Sequence, residues 1–100
     1  MASLAEIVQQ AVSDYAGEAG NGQLYMTVSP DGSLFTVIGI GALAGQRFIT
    51  VGLVARLAGD LVVIERDQND KPLVEALLQA GIPRKQIILA YAGEPVPESA

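Results

Sequence analysis

Asp60-Leu-Val-Val-Ile-Glu-Arg-Asp67 is followed by Gln68-Asn-Asp-Lys-Pro72, Leu73-Val-Glu-Ala-Leu-Leu-Gln-Ala-Gly81, Ile82-Pro-Arg-Lys-Gln86 and Ile87-Ile-Leu-Ala-Tyr91. Leu61 to Ile64 is a short unbroken apolar run, the pattern of a strand buried on both faces. Asn69 or Asp70 is placed to cap a helix, and Pro72 suits its first turn, where a missing N–H has no intrahelical partner to lose. Leu73, Val74, Leu77 and Leu78 then share one helical face, with Glu75 and Gln79 outside it. Gly81 stands where a helix wants a left-handed residue, Ile82 supplies the apolar contact after it, and Pro83 prevents continuation. Ile87 to Tyr91 reads as a second strand. The stretch is a strand–helix–strand unit with a right-handed crossover if its strands run parallel.

Upstream, Ser3 with Glu6 fits a capping box. Leu4, Ile7, Val8, Ala11, Val12 and Tyr15 repeat at helical spacing, which predicts a helix of about four turns with one core-facing stripe. Gly17, Gly20 and Gly22 break it and lead into an extended segment, Gln23 to Val28. Pro30-Asp31-Gly32 is a turn, because Pro sets φ, Asp bonds locally and Gly accepts φ > 0. Leu34 to Ile40 returns as a strand, Gly41 to Gly45 reads as a loop, and Arg47 to Leu57 as a longer strand. In that strand Phe48, Thr50, Gly52, Val54 and Arg56 alternate with Arg47, Ile49, Val51, Leu53 and Ala55. The expected fold is α+β: an N-terminal helix, a four-stranded antiparallel meander, then a helix and a final strand. Residues 1–100 form one domain, with 95–100 a frayed tail.

Composition removes several functions. There is no Cys and no His among the 100 residues, so thiol chemistry, disulfides and the usual catalytic triads are excluded. The formal charge is −5 and no Lys or Arg precedes Arg47. The six cations, Arg47, Arg56, Arg66, Lys71, Arg84 and Lys85, form no cluster of the kind that displaces counterions from phosphates, so direct nucleic-acid binding is not expected. No apolar run is long enough to span a bilayer and the N-terminus lacks the pattern of a signal peptide, so the expectation is a soluble cytoplasmic protein.

Two motifs resemble chemistry and fail on detail. Gly39, Gly41 and Gly45 precede a strand instead of a helix and lack the Gly-Lys-Ser/Thr ending of a phosphate loop. Glu65, Asp67 and Asp70 with Lys71 make the densest acidic cluster, and a small metal-dependent enzyme built on Glu65 and Asp67 is the competing reading. Arg66 between those two carboxylates is the makeup of a solvated strand end. No catalytic, cofactor-binding or metal-ligating residue is therefore assigned.

The pattern Arg66-Asp67, Leu73-Val74, Gly81-Ile82-Pro83-Arg84 and Ile87-Ile88-Leu89 resembles the C-terminal half of the XisI family, controlling factors for excision of the fdxN element. The length, the N-terminal helix and the central strands extend the resemblance over nearly the whole chain. Gly39-Ile40 stands where the family often carries Gly-Trp, and Ala90-Tyr91 where it often carries Phe-His. The resemblance implies a non-enzymatic control or adaptor protein working through protein contacts, with a nuclease-like XisH protein as its partner. Arg66, Asp67, Arg84 and Tyr91 are the interaction residues expected here, on a rim formed if the last two strands run parallel, because Arg and Tyr most often anchor interfaces. A structural homo-oligomer, pairing through a sheet edge or the Leu-rich helix, is the remaining alternative.

Overall fold

The computed structural model describes residues 2–97. Its elements run α1 (Leu4–Ser13), β1 (Gly17–Ala19), β2 (Gly22–Val28), β3 (Leu34–Leu43), β4 (Gln46–Ala58), β5 (Leu61–Asp67), α2 (Leu73–Gln79) and β6 (Ile87–Leu89), with single 3-10 turns at Arg84–Gln86 and Ala90–Ala92. The strands form one sheet in chain order. β1 to β5 are antiparallel, and β6 lies parallel to β5, pairing Val62 with Ile87 and Ile64 with Leu89.

The α+β class and the strand–helix–strand unit are as the sequence leads one to expect. The four-stranded meander is corrected to five antiparallel strands in a six-stranded sheet. The added strand is β1, which pairs Ala19 with Gly22 across a two-residue turn. Its glycines look like a break in the sequence, yet Gly22 is there because a Cβ would collide with the Ile40 carbonyl. Gly41 meets the same limit, with Phe48 Cζ only 2.7 Å from where its Cβ would stand. Two backbones approach closely at this point, and only glycine permits it.

The Gly41–Gly45 loop is also corrected. β3 continues to Leu43, which pairs with Gln46. The reversal needs only Ala44 and Gly45, both left-handed at φ 53° and 80°, as a two-residue hairpin turn of the twisted kind requires. β3 and β4 thus form a long ribbon. β5 pairs with β4 no further than Leu53, opposite Asp67, so the distal part of β4 has a free edge.

Helix α1 begins with the expected capping box, Ser3 N–H donating to Glu6 Oε1 at 2.9 Å and Glu6 N–H to Ser3 Oγ at 3.1 Å. It is shorter than the four turns that periodicity implies, ending at Ser13. Tyr15 leaves the helix and donates its hydroxyl to the Lys71 carbonyl at 2.7 Å, which ties the two halves of the chain together. At α2 the stop chemistry is as read: Gly81 has φ 98°, Ile82 N–H returns to the Leu77 carbonyl and Ile82 is buried. Leu78 departs from the expected face and is 42 % exposed.

Both helices cover one face of the sheet. Val8 and Val12 from α1 and Leu73 and Leu77 from α2 join Phe35, Val37, Leu53, Ala55, Val62, Ile64 and Ile87 in one core. The simple alternation expected along β4 fails because Gly52 is an extra residue: Val37 pairs with Leu53 but Ile38 with Val51. Such a bulge flips the facing of everything beyond it. Phe48 and Thr50 therefore share the helix-covered side with Leu53 and Ala55, while Ile49 and Val51 face outward. Glu65 is a second bulge, between the Val54–Arg66 and Ala55–Ile64 pairs. No helix among the described residues is long and apolar enough to cross a membrane.

Candidate functional site

The parallel pairing of β5 with β6 leaves the last residues of β5 projecting beyond its partner, and the Ala90–Ala92 turn packs against this strand. Asp67 and Tyr91 come within electrostatic reach of each other there, whereas Arg66, paired with Val54, projects from the opposite face of the sheet. Tyr91 is 42 % exposed. Burial raises its hydroxyl pKa above the ordinary value, as do the Asp67 and Glu94 charges, while Arg84 acts in the opposite sense. The Asp67 charge reaches Tyr15 as well, where burial is again the leading cause of a raised pKa.

Each charged residue of the rim already has work within the fold. Arg66 Nε donates to the Val51 carbonyl at 2.7 Å, close to where β4 parts from β5. Its two terminal nitrogens have no partner among the described residues. Asp67 Oδ2 accepts the Leu73 N–H at 2.7 Å, and Oδ1 accepts both Asn69 N–H at 3.1 Å and Asn69 Nδ2–H at 2.8 Å. Pro72, the residue preceding α2, offers no side-chain cap, so Asp67 caps the helix from the end of the strand. The Asn69 or Asp70 cap expected from sequence is thereby corrected. The signal that distinguishes Asp67 from Asp70 is spatial: β5 ends where α2 begins.

Arg84 lies along the outer edge of β6, within electrostatic reach of Tyr91. Its Nη1 donates to the Ile87 carbonyl at 2.7 Å, and Nη2 pairs with Glu94 Oε2 at 2.6 Å. Glu94 Oε1 accepts the Leu89 N–H at 2.9 Å, and Glu94 N–H donates to the Leu89 carbonyl. These two side chains cover the unpaired backbone groups of an edge strand, which would otherwise template pairing with another chain. Nothing in the local sequence marks Glu94 for this task except its place after Gly93, whose φ of 91° turns the chain back.

The carboxylates of the competing metal reading are separately engaged. Glu65 pairs with Arg56 at 2.8 Å, and Asp67 holds the α2 start. Among the described residues no group of three His, Cys, Asp or Glu side chains is arranged to hold a metal ion. On the other side of the molecule α1 and α2 enclose a shallow groove lined by Ala11, Ala76 and Ala80 with Glu6 and Lys71.

Compared with known proteins, the chain matches no curated protein, but its fold recurs among solved structures. One is a XisI-like protein from Anabaena variabilis, with TM-score 0.66 and 14 % identity over 86 % of this chain and 78 % of that one. Another is the fdxN element excision controlling factor XisI from the same organism, with TM-score 0.68 and 19 % identity over 87 % of this chain and 88 % of that one. At these identities the likeness is one of fold. The family model for the XisI protein, however, matches residues 1–98, essentially the entire sequence, and this chain belongs to the XisI family.

Proposed function

We propose that this protein is a non-enzymatic control factor that acts in the cytoplasm through protein contacts, with a XisH-like protein as its partner. The structural neighbour described as an excision controlling factor supports the regulatory reading. The observation that carries the contact-based mechanism is the rim at the end of β5. Its carboxylate is committed to the fold through Leu73 and Asn69, whereas Arg66 and Tyr91 present planar surface outward. Arg and Tyr combine a large planar surface with polar ends and are enriched among interface anchors. The partner meets Arg66 and Tyr91 directly, while Asp67 and Arg84 hold the two walls of the rim in place.

Sedimentation of the protein with a XisH-like protein tests this reading. Arg66→Ala and Tyr91→Ala should each weaken the complex by about 1 kcal/mol or more while leaving the fold intact. Undiminished association of both variants would remove the rim as the contact surface. Absence of any complex with the wild-type chain would remove the partner.

A further inference from the structure

Where β4 runs on beyond β5, one side of its backbone is unused. Leu43 and Gln46 close the two-residue turn of the ribbon, so they form a hydrogen-bonded pair. Alternation along an antiparallel ladder then turns the backbone groups of Phe48 and Thr50 toward β3 as well. Arg47, Ile49 and Val51 therefore aim their N–H and C=O groups away from β3. The far end of the ribbon has the same parity: Arg66 Nε donates to the Val51 carbonyl, and Gln68 N–H to the Gly52 carbonyl. Those two bonds are the last from the β5 side. Beyond them the N–H and C=O of Arg47 and Ile49, with the Val51 N–H, face solvent.

The two outer margins of the sheet are managed differently. Arg84 and Glu94 cover the edge of β6, and β1 is only three residues long. Gln46 to Val51 has no Lys, Pro or Gly, the residues that blunt an edge, and such an edge is a template for an added strand. Charge decides which strand fits. Arg47 and Arg66 are both exposed and stand on the face that the helices leave bare, with Ile49 and Val51. No acidic residue lies between Gln46 and Val51. A second copy pairing antiparallel on this edge would bring its own Arg47 and Arg66 against these two, and like charges facing across strands destabilise the pairing. Phe48, on the opposite face, calls for an apolar neighbour.

We propose that the free edge of β4 receives an extended acidic segment of a protein partner, added antiparallel as a further strand. Its backbone exchanges hydrogen bonds with Arg47 and Ile49. Its carboxylates stand opposite Arg47 and Ile49, and an apolar residue between them stands opposite Phe48. The carboxylate opposite Arg47 pairs with it directly. The one opposite Ile49 lies diagonal to Val51, where the terminal nitrogens of Arg66 have no partner among the described residues, and charge-assisted bonds to a guanidinium are the strong ones. Arg66 keeps the Val51 carbonyl, so the added strand ends there. This builds on the contact-based reading through Arg66, but it needs neither Tyr91 nor a XisH-like protein.

The test titrates a short capped peptide of alternating Val and Glu into the whole isotope-labelled chain, followed by amide NMR. The Arg47 and Ile49 amides should shift saturably. The same peptide with Lys in place of Glu should bind about tenfold or more weakly, and added salt should weaken the Glu peptide. Ile49→Pro deletes an N–H that the isolated fold does not use, so circular dichroism should show the fold kept while the peptide Kd rises about tenfold. Arg47→Glu and Arg66→Ala, both at exposed side chains, should each raise it about threefold or more. Leu78→Asp, on α2, should leave it unchanged. No XisH-like protein is present, so failure of this binding and failure of that complex are read separately. A titration that leaves the Arg47 and Ile49 amides unmoved overturns the proposal. Equal binding of the Glu and Lys peptides would overturn the acidic chemistry. Arg47 and Ile49 amides that become protected from exchange as the protein alone is concentrated would give the edge to a second copy instead.

Discussion

Asp67 Oδ2 and the backbone N–H of Leu73 lie 2.7 Å apart, so the last residue of β5 caps α2. The same carboxylate accepts two bonds from Asn69 through its other oxygen, fixing the turn between strand and helix. Removing the acceptor leaves the first helical N–H without its partner in a half-buried position. Asp67→Ala should therefore lower stability by about 1–2 kcal/mol, as lost caps do. Asp67→Asn retains one carbonyl oxygen and should fall between. Urea titration measures both, and a loss below about 0.3 kcal/mol in the alanine variant would mean the bond adds nothing to folding.

Leu77 and Leu78 are neighbours on α2 with opposite surroundings. Leu77 is fully buried in the core with Leu73 and Ile82, whereas Leu78 is 42 % exposed. Leu77→Ala should cost about 2–5 kcal/mol through lost transfer energy and the cavity left behind. Leu78→Ala should cost under about 0.5 kcal/mol, as surface changes generally do. Similar losses for both would mean the helix is rotated from the position described.

Asp31 gathers three donors onto one oxygen. Ser29 hydroxyl donates at 2.6 Å, Ser33 hydroxyl at 2.8 Å and Ser33 N–H at 3.1 Å. These bonds favour the ionised form and lower its pKa to about 2, with the Ser29 hydroxyl the largest cause. The folded-state value is depressed, so the associated stability is complete above the ordinary aspartate range and is lost as pH falls through about 2. An NMR titration of the Asp31 carboxyl should show that low midpoint. Ser29→Ala should move it upward, toward the ordinary value. A wild-type midpoint already at the ordinary value would show that the turn does not form as described.

The C-terminal unit was legible because its signals are local. Pro72, Gly81 and Pro83 start and stop α2 through backbone chemistry that needs no distant partner. β1 and the distal ribbon were not legible for the opposite reason. Gly22 and Gly41 look like loop residues, but each is glycine because another backbone lies against it, and that neighbour is far away in sequence. The Gly52 bulge hides in the same way: alternation along β4 reads smoothly through it, and only pairing with β3 exposes the shift. Of the candidate site, the nearness of Tyr91 to the Asp67 end of β5 follows from the parallel pairing, whereas the facing of Arg66 is set by the Glu65 bulge. That Arg66 reaches Val51 and Arg84 reaches Glu94 depends on where the chain returns, which no local pattern carries.

The edge of β6 offers a prediction with a pH signature. Glu94 accepts the Leu89 N–H and pairs with Arg84, and these contacts, the Leu89 N–H foremost, hold its carboxyl pKa below the ordinary value. A depressed carboxylate stabilises the fold above its unfolded-state range, and the effect disappears as pH falls through the folded-state pKa. Hydrogen exchange at the Leu89 amide, corrected for the intrinsic pH dependence of exchange, should thus lose protection on acidification. Glu94→Ala should remove that protection at neutral pH. Glu94→Gln keeps an acceptor oxygen but cannot titrate in this range, so its Leu89 protection should not show the acid step. Val63 has strands on both sides, and its amide should remain protected in all three proteins. A Leu89 amide that exchanges alike in wild type and Glu94→Ala would show that the carboxylate does not cover the edge. Accelerated exchange at Val63 as well would instead mean that Glu94 supports the whole β5–β6 pair, since protection across the sheet is then lost with it.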